Sequence, residues 1–289
     1  MKHTVLAPAK LNLFLDITGQ RGDGYHLVNM VMQAVSLYDE VTVSLEEGTA
    51  VHVECTDSEI PCDESNTAFR AVQAFWKASE LPCQGVSVRI QKKIPSQAGM
   101  AGGSTDAAAV LYALNDLTRA GMDNAELADI AETIGADVPF CLYGGTMTAE
   151  GIGTILNPLP DMPETGIVII KPEVKISTAE AYRRSDTIGY TRPMNADKVV
   201  SGICSGSLED IAAGLYNKFE AVVALPEIAD IKRALCEAGA LNACMTGSGS
   251  AVFGLFADRG TADMAVRRLS EVYEQVFAVQ PVTHGVIFR

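Results

Sequence analysis

Residues 95–106 read P-S-Q-A-G-M-A-G-G-S-T-D, and an alanine-rich run, A-A-A-V-L-Y-A-L, follows at 107–114. An alternating segment at 86–92 leads in as a strand. The order is therefore strand, glycine-rich turn, helix. Gly99, Gly102 and Gly103 let the backbone bend sharply and approach a ligand without Cβ clashes. Ser104 and Thr105 are read as opening a helix at 104–117, with Ala107, Ala108, Leu111 and Leu114 on its apolar side. The first N–H groups of such a helix have no internal partner, and with the positive end of the helix dipole they bind anions, above all phosphate. Alone, the run equally fits an ordinary turn with a Ser or Thr cap. It contains no G-x-x-x-x-G-K-[ST] and no dinucleotide G-x-G-x-x-G. Phosphate would have to be held by backbone amides and a hydroxyl, without a lysine in the loop.

The chain has 289 residues, 48% of them apolar, enough for one large domain or two of ordinary size. A net charge of −14 argues against broad electrostatic binding of nucleic acid or anionic lipid. It also means that a phosphorylated ligand needs local positive charge, from helix ends, a few lysines or a divalent cation. Seven cysteines are scattered without C-x-x-C, and four histidines show no metal spacing. Reduced thiols are the expectation. The N-terminal segment lacks a leader pattern, and no apolar run is long enough to span a membrane, so the expected compartment is the cytoplasm.

Residues 3–18 alternate as a strand, with Leu11, Leu13 and Leu15 on one face and Lys10, Asn12, Phe14 and Asp16 on the other. A Gly- and Asp-rich turn follows at 19–24. Further strands are expected near 41–45, 51–55, 167–171, 242–246, 251–256 and 282–287. Helices are expected at 66–79, 124–134, 178–184, 207–213, 217–238 and 261–276. Three prolines in 157–163 mark a boundary between 1–160 and 161–289. Strands and helices interleave without β-α-β regularity, which predicts a two-layer α+β fold.

Four groups carry potential chemistry. Lys10 shares a strand face with Asn12; by itself it reads as a solvated lysine. Asp137 sits in G-A-D-V-P-F at 135–140; by itself it reads as a turn residue. Brought together near bound phosphate, they make a carboxylate that accepts a hydroxyl proton and an ammonium that stabilises charge in phosphoryl transfer. Tyr25 and His26 end a Gly-Asp-Gly turn, suited to stacking on a planar ligand or to ordinary packing. M-T-G-S-G-S at 245–250 is a second glycine-serine turn, between strands. A serine hydrolase is a poor fit: there is no G-x-S-x-G, and Gly247-Ser248-Gly249 has the wrong frame and lies between strands.

With these motifs in place the chain resembles the GHMP-superfamily small-molecule kinases. A-P-A-K-L-N-L-F-L-D-I-T-G-Q-R-G-D-G-Y-H (7–26) resembles the first motif, residues 95–108 the ATP loop, 135–140 the catalytic segment and M-T-G-S-G-S-A-V-F (245–253) the third motif. The resemblance implies a two-domain α+β kinase, with the active site in the cleft between an N-terminal domain (1–160) and a C-terminal one (161–289). It implies Lys10 and Asp137 as the catalytic pair. It implies ATP held by Asn66 and by Pro95, Ser96, Gln97, Ala98, Gly99, Met100, Ala101, Gly102, Gly103, Ser104 and Thr105. It implies acceptor binding by Asn12, Tyr25, His26, Thr178 and Tyr182, the last offering a second ring against a cytosine. Mg²⁺ would accompany ATP, with Ser104 as its protein ligand. The first motif points, within the superfamily, to members whose acceptor is a cytidine-diphosphate-linked polyol. Homoserine, mevalonate or sugar kinases are the nearer alternative, and a silent ligand sensor on the same fold the distant one. The chain departs from the superfamily pattern at Ala101, at Thr105 and at Lys218. Ala101 carries the expectation that this position does not need a positive φ.

Overall fold

The computed structural model describes residues 1–188 and 194–289. The first half of the chain forms β1 (Lys2–Gln20), β2 (His26–Glu46), β3 (Val51–Cys55), α1 (Thr67–Ser79), β4 (Gly85–Gln91), α2 (Gly102–Thr118), α3 (Asn124–Glu132), α4 (Val138–Tyr143), β5 (Thr146–Glu150) and β6 (Ile155–Pro158). The second forms β7 (Gly166–Ile170), α5 (Thr178–Ile188), α6 (Asp197–Ser205), α7 (Leu208–Gly214), β8 (Tyr216–Asn217), α8 (Lys218–Val223), α9 (Pro226–Glu237), β9 (Asn242–Met245), β10 (Val252–Phe256), α10 (Arg259–Leu269), β11 (Val276–Val279) and β12 (Ile287–Phe288). The expected α+β class is what the chain adopts.

Among the described residues one sheet runs β12-β1-β2-β4-β3, with β5 on β2, β6 on β5 and β8 parallel to β1; a second runs β11-β7-β10-β9. The proline run at 157–163 leads from the first sheet to the second. β8 and β12 nevertheless return to β1, so the two halves of the chain are stitched together along its first strand.

β1 is the structural key, because along its register shifts its side chains go alternately to two cores. Its pairing with β2 shifts register between Pro8 and Ala9 and again between Asn12 and Phe14. The first shift passes over Ser36 and Leu37 of β2, and the second leaves Leu13 of β1 without a partner, a one-residue bulge of the kind that exchanges the two faces of a strand. Across these shifts, Val5 and Ala7 join the core beneath α1 and α2, Ala9, Leu11, Leu13 and Phe14 join the core shared with β7 and β10, and Leu15 and Ile17 rejoin the first. This corrects the simple alternation: Phe14 goes with Leu11 and Leu13, and Leu15 does not. Lys10 and Asn12 keep the common face assigned to them.

Helix α1 starts where its cap predicts, with the Asn66 side chain accepting from Ala68 N. Helix α2 buries Ala107, Ala108, Leu111 and Leu114 as expected. The single helix expected over 217–238 is instead β8, α8 and α9. Ala224 takes a left-handed conformation (φ 47°) and Pro226 opens α9, which divides the segment. The helix expected to 276 ends at Leu269, and β11 takes up the chain beyond it.

Candidate active site

Helix α2 begins at Gly102, two residues earlier than expected, and its first α-helical bond is Thr105 N to Ala101 O, 2.9 Å. The amides of Gly102, Gly103 and Ser104 thus have no partner four residues back. The turn before them is tightly wound. Gln97, Gly99 and Ala101 have φ of 51°, 72° and 57°. The expectation for Ala101 is therefore overturned: the residue before α2 must be left-handed, and alanine meets that at a cost of about 1–2 kcal/mol.

This loop is locked onto the second glycine-serine turn. Thr246 Oγ1 donates to Gly99 O (3.2 Å), and Ala251 N donates to Ala98 O (3.2 Å). A Cβ on Gly99 would lie 2.1 Å from Thr246 O, and one on Gly247 2.7 Å from Gly99 O. Only glycines allow the two turns to touch backbone to backbone. From β1, Lys10 N donates to Met100 O (3.2 Å). Asn12 completes the joint: its N donates to Thr246 Oγ1 (3.0 Å), and its Oδ1 accepts from Gly247 N (3.1 Å) and from Lys10 Nζ (2.5 Å).

A cavity of about 570 Å³ opens at this joint. Every loop residue from Pro95 to Ser104 lines it, together with Asn66, Lys10, Asp137, Thr178 and Tyr182. Lys10 Nζ and Asp137 Oδ2 are 3.8 Å apart, the lysine side chain nearly covered and the carboxylate about one-third exposed, 5% against 32%. Asp137 stands just before α4 and makes no side-chain capping bond, so its carboxylate faces the cavity uncommitted to the helix. Asn66, by contrast, is engaged at both ends, accepting from Ala68 N and donating to Pro61 O (2.6 Å).

Thr105 is fully buried and does not line the cavity; among the described residues its Oγ1 finds no hydrogen-bond partner. Asn12 is likewise buried behind the wall, where it holds Lys10 and Gly247. Elsewhere in the cavity wall, Tyr182 packs edge-on against Phe219 (centroids 5.0 Å) and face-on against His26 (4.5 Å), whose Nε2 is 2.7 Å from Asp186 Oδ1. His26, rather than Tyr25, thus covers the Tyr182 ring, and Tyr25 is 61% exposed on the β1–β2 turn. Burial, and then the charge of Asp137, push the Tyr182 hydroxyl well above the ordinary tyrosine range. Tyr182 is therefore a neutral, apolar face. Thr178 Oγ1 lies 2.8 Å from Ser248 Oγ in the same wall.

Lys92 and Asp106, which sequence reading did not single out, also line the cavity. Lys92 bridges Asp106 (2.8 Å) and Asp39 behind the loop. Burial opposes the charge on Lys92, but the carboxylates of Asp106 and Asp39 outweigh it, so the ammonium is held above its ordinary range. A charged residue at the end of an alternating strand gives no sequence sign of pointing inward.

Comparison with known proteins places this geometry. The family described as "GHMP kinases N terminal domain" matches residues 66–145, and "GHMP kinases C terminal" matches 199–275. The 4-diphosphocytidyl-2-C-methyl-D-erythritol kinase of Alkaliphilus metalliredigens is 40% identical over 94% of this chain and 94% of its own length. The chain belongs to the 4-diphosphocytidyl-2-C-methyl-D-erythritol kinase family of GHMP kinases. The family's member from Clostridium tetani is 38% identical over 94% of this chain and 98% of its own. A crystal structure of 4-(cytidine 5'-diphospho)-2C-methyl-D-erythritol kinase superposes with TM-score 0.81 at 31% identity, over 97% of this chain and 99% of that one. A homoserine kinase from Cytophaga hutchinsonii superposes with TM-score 0.79 at 21% identity, over 100% and 97%, which speaks to the fold alone. This chain is a small-molecule kinase, and its two matched regions contribute the loop and the turn that interlock at the cavity.

Proposed function

We propose that this kinase transfers the γ-phosphoryl group of ATP to the 2-hydroxyl of 4-diphosphocytidyl-2-C-methyl-D-erythritol, giving the 2-phosphate and ADP, a step in making isoprenoid precursors by the non-mevalonate route. The observation that carries this reading is the Lys10–Asp137 pair, 3.8 Å apart in the wall of the cavity that the free α2 amides also line. Transfer needs three things in one line: a bound phosphoryl donor, an oriented hydroxyl and a group to take its proton. The amides of Gly102, Gly103 and Ser104 hold the phosphates at the helix N-terminus. Asp137 accepts the proton of the acceptor hydroxyl, and Lys10 stabilises the charge that shifts onto the transferring oxygens. Asn66 and the loop before α2 line the part of the cavity that takes the adenine. Tyr182, with His26 and Thr178, receives the cytidine end, and Tyr25 sits on the turn above it.

Mg²⁺ fits this site with a thin protein shell. Ser104 lines the cavity beside the free amides, and among the described residues no group of three or more His, Cys, Asp or Glu could hold a metal. Ser104 would hold the ion together with phosphate oxygens and water. When bound it neutralises charge on the β- and γ-phosphates. The unpaired thiols, seven among the described residues, support the cytoplasm as the working compartment. Among the described residues no helix is long and apolar enough to cross a membrane.

A coupled ADP-release assay tests the reading, run over the cytidylyl polyol, homoserine and mevalonate with and without Mg²⁺. The cytidylyl polyol is expected to give the fastest release, and only with Mg²⁺. Faster release with homoserine or mevalonate overturns the acceptor.

A further inference from the structure

The positive charge that the glycine loop lacks sits on the chain leading into it. Lys92 directly follows β4, yet its side chain turns inward and is only 6% exposed. It is fixed from two sides. Asp39, fully buried, accepts from Lys93 N (2.6 Å) and Ile94 N (2.9 Å) through Oδ1 and from Lys92 Nζ through Oδ2. Asp106, one turn into α2, accepts from Lys92 Nζ at 2.8 Å. An ammonium has three N–H donors, so these two carboxylates leave one to be aimed elsewhere. The ammonium is close to Gly102: a Cβ there would lie 3.1 Å from Lys92 Nζ. The ammonium therefore rests against the first residue of α2, where the backbone amides are free, and Lys92 lines the cavity. The other cationic side chain among the described lining residues is Lys10, which faces Asp137.

We propose that Lys92 donates a hydrogen bond to the phosphates of the bound nucleotide, with Asp39 and Asp106 as the positioning residues that hold its ammonium against the α2 N-terminus. The proposal rests on the reading of this cavity as the ATP site. The two carboxylates more than offset the long-range field of the lysine, so any favourable effect it has on a phosphate is confined to hydrogen-bond range. It therefore discriminates by phosphate content: adenosine gains nothing from it, ADP does. A lysine that only neutralised the two buried carboxylates would support the loop as a whole and treat adenosine and ADP alike.

Calorimetry with adenosine and with ADP separates these roles. The variants are Asp106→Asn alone and Lys92→Met combined with Asp106→Asn; the second change removes one of the two carboxylates that lose their cation, and Asp39, the other, keeps the N–H groups of Lys93 and Ile94. Relative to Asp106→Asn alone, the double variant is expected to bind ADP about 10- to 100-fold more weakly, the range for one charge-assisted hydrogen bond, and adenosine equally well. Equal losses for adenosine and ADP, or no loss for either, overturn the proposal. If the double variant does not fold, a crystal of the wild-type protein with ADP decides. Nζ within about 3.2 Å of a phosphate oxygen supports the proposal, and a separation beyond about 4.5 Å overturns it. Failure of the wild-type protein to bind either ligand would refute the ATP-site reading itself.

Discussion

Replacing Gly99 by alanine attacks the joint between the phosphate loop and the turn at 246–250. Gly99 has φ 72°, where a Cβ costs about 1–2 kcal/mol in backbone strain. That Cβ would also stand 2.1 Å from Thr246 O, a contact that real Cβ atoms do not make below 3.0 Å. The obstacle is backbone, so a side-chain rotation cannot relieve it, and the loop must back away by about an ångström. Such a shift strains or breaks Thr246 Oγ1 to Gly99 O and Ala251 N to Ala98 O, both 3.2 Å. At about 1 kcal/mol for each bond, the total destabilisation is about 3–4 kcal/mol. A misplacement of about 1 Å in the phosphate-holding amides should also lower kcat by about 100-fold. Gly48→Ala is the matched control: its φ is 82°, and nothing lies within 4 Å of its Cβ. It should lose only the backbone share, about 1–2 kcal/mol, and keep its activity. Urea unfolding and ADP release on both variants make the comparison. Equal losses of stability, with kcat intact in Gly99→Ala, would refute the idea that contact between the two turns positions the loop.

Ala101→Gly removes the left-handed strain at φ 57° but adds freedom to the unfolded chain, so a net gain of up to about 1 kcal/mol is expected; a lower urea midpoint contradicts it. Burial pushes the Asp106 carboxyl up to about 7, with Lys92 opposing. The folded protein then keeps a proton that the unfolded chain releases near pH 4, so this residue's contribution falls as pH rises from about 4 to about 7. Asp106→Asn should flatten that slope in urea midpoints taken across the window, and parallel curves for variant and wild type would count against it. Tyr182→Ala removes the apolar face at the acceptor end and should raise KM for the cytidylyl acceptor by about 10-fold or more while leaving KM for ATP alone. An equal rise in both would show that Tyr182 supports the whole cavity instead.

Much of this site was written in local sequence. The segment 86–106 announces a strand, a turn and a helix, and the cap at Asn66 fixes the start of α1. Local patterns carry such information because backbone conformation and capping depend on nearest neighbours. What escaped depends on contacts between distant segments. The register shifts along β1 arise from its pairing with β2, and no alternation in residues 3–18 shows where the faces exchange. The positive φ of Ala101 is imposed by the close fit of residues 97–101 against 246–251. Lys92 gives no local sign of its place in the site because its partner Asp39 lies more than fifty residues earlier and Asp106 on a separate helix. Tyr25 and His26 were read as a unit, yet the sharp turn before them leaves Tyr25 outside and sends His26 onto Tyr182.

The central claim is that Lys10 and Asp137 act as one unit in phosphoryl transfer, and a double-variant cycle in kcat tests it most directly. Asp137→Asn keeps the volume and loses the proton acceptor; Lys10→Met keeps most of the stem and loses the charge. With the side chains 3.8 Å apart, each change should cut kcat by about 10²- to 10⁴-fold, with circular dichroism unchanged. The double variant should be little worse than the poorer single one, because a cooperating pair can be lost only once. A fully multiplicative loss would separate the two residues, and a near-wild-type kcat for Asp137→Asn would contradict the account outright.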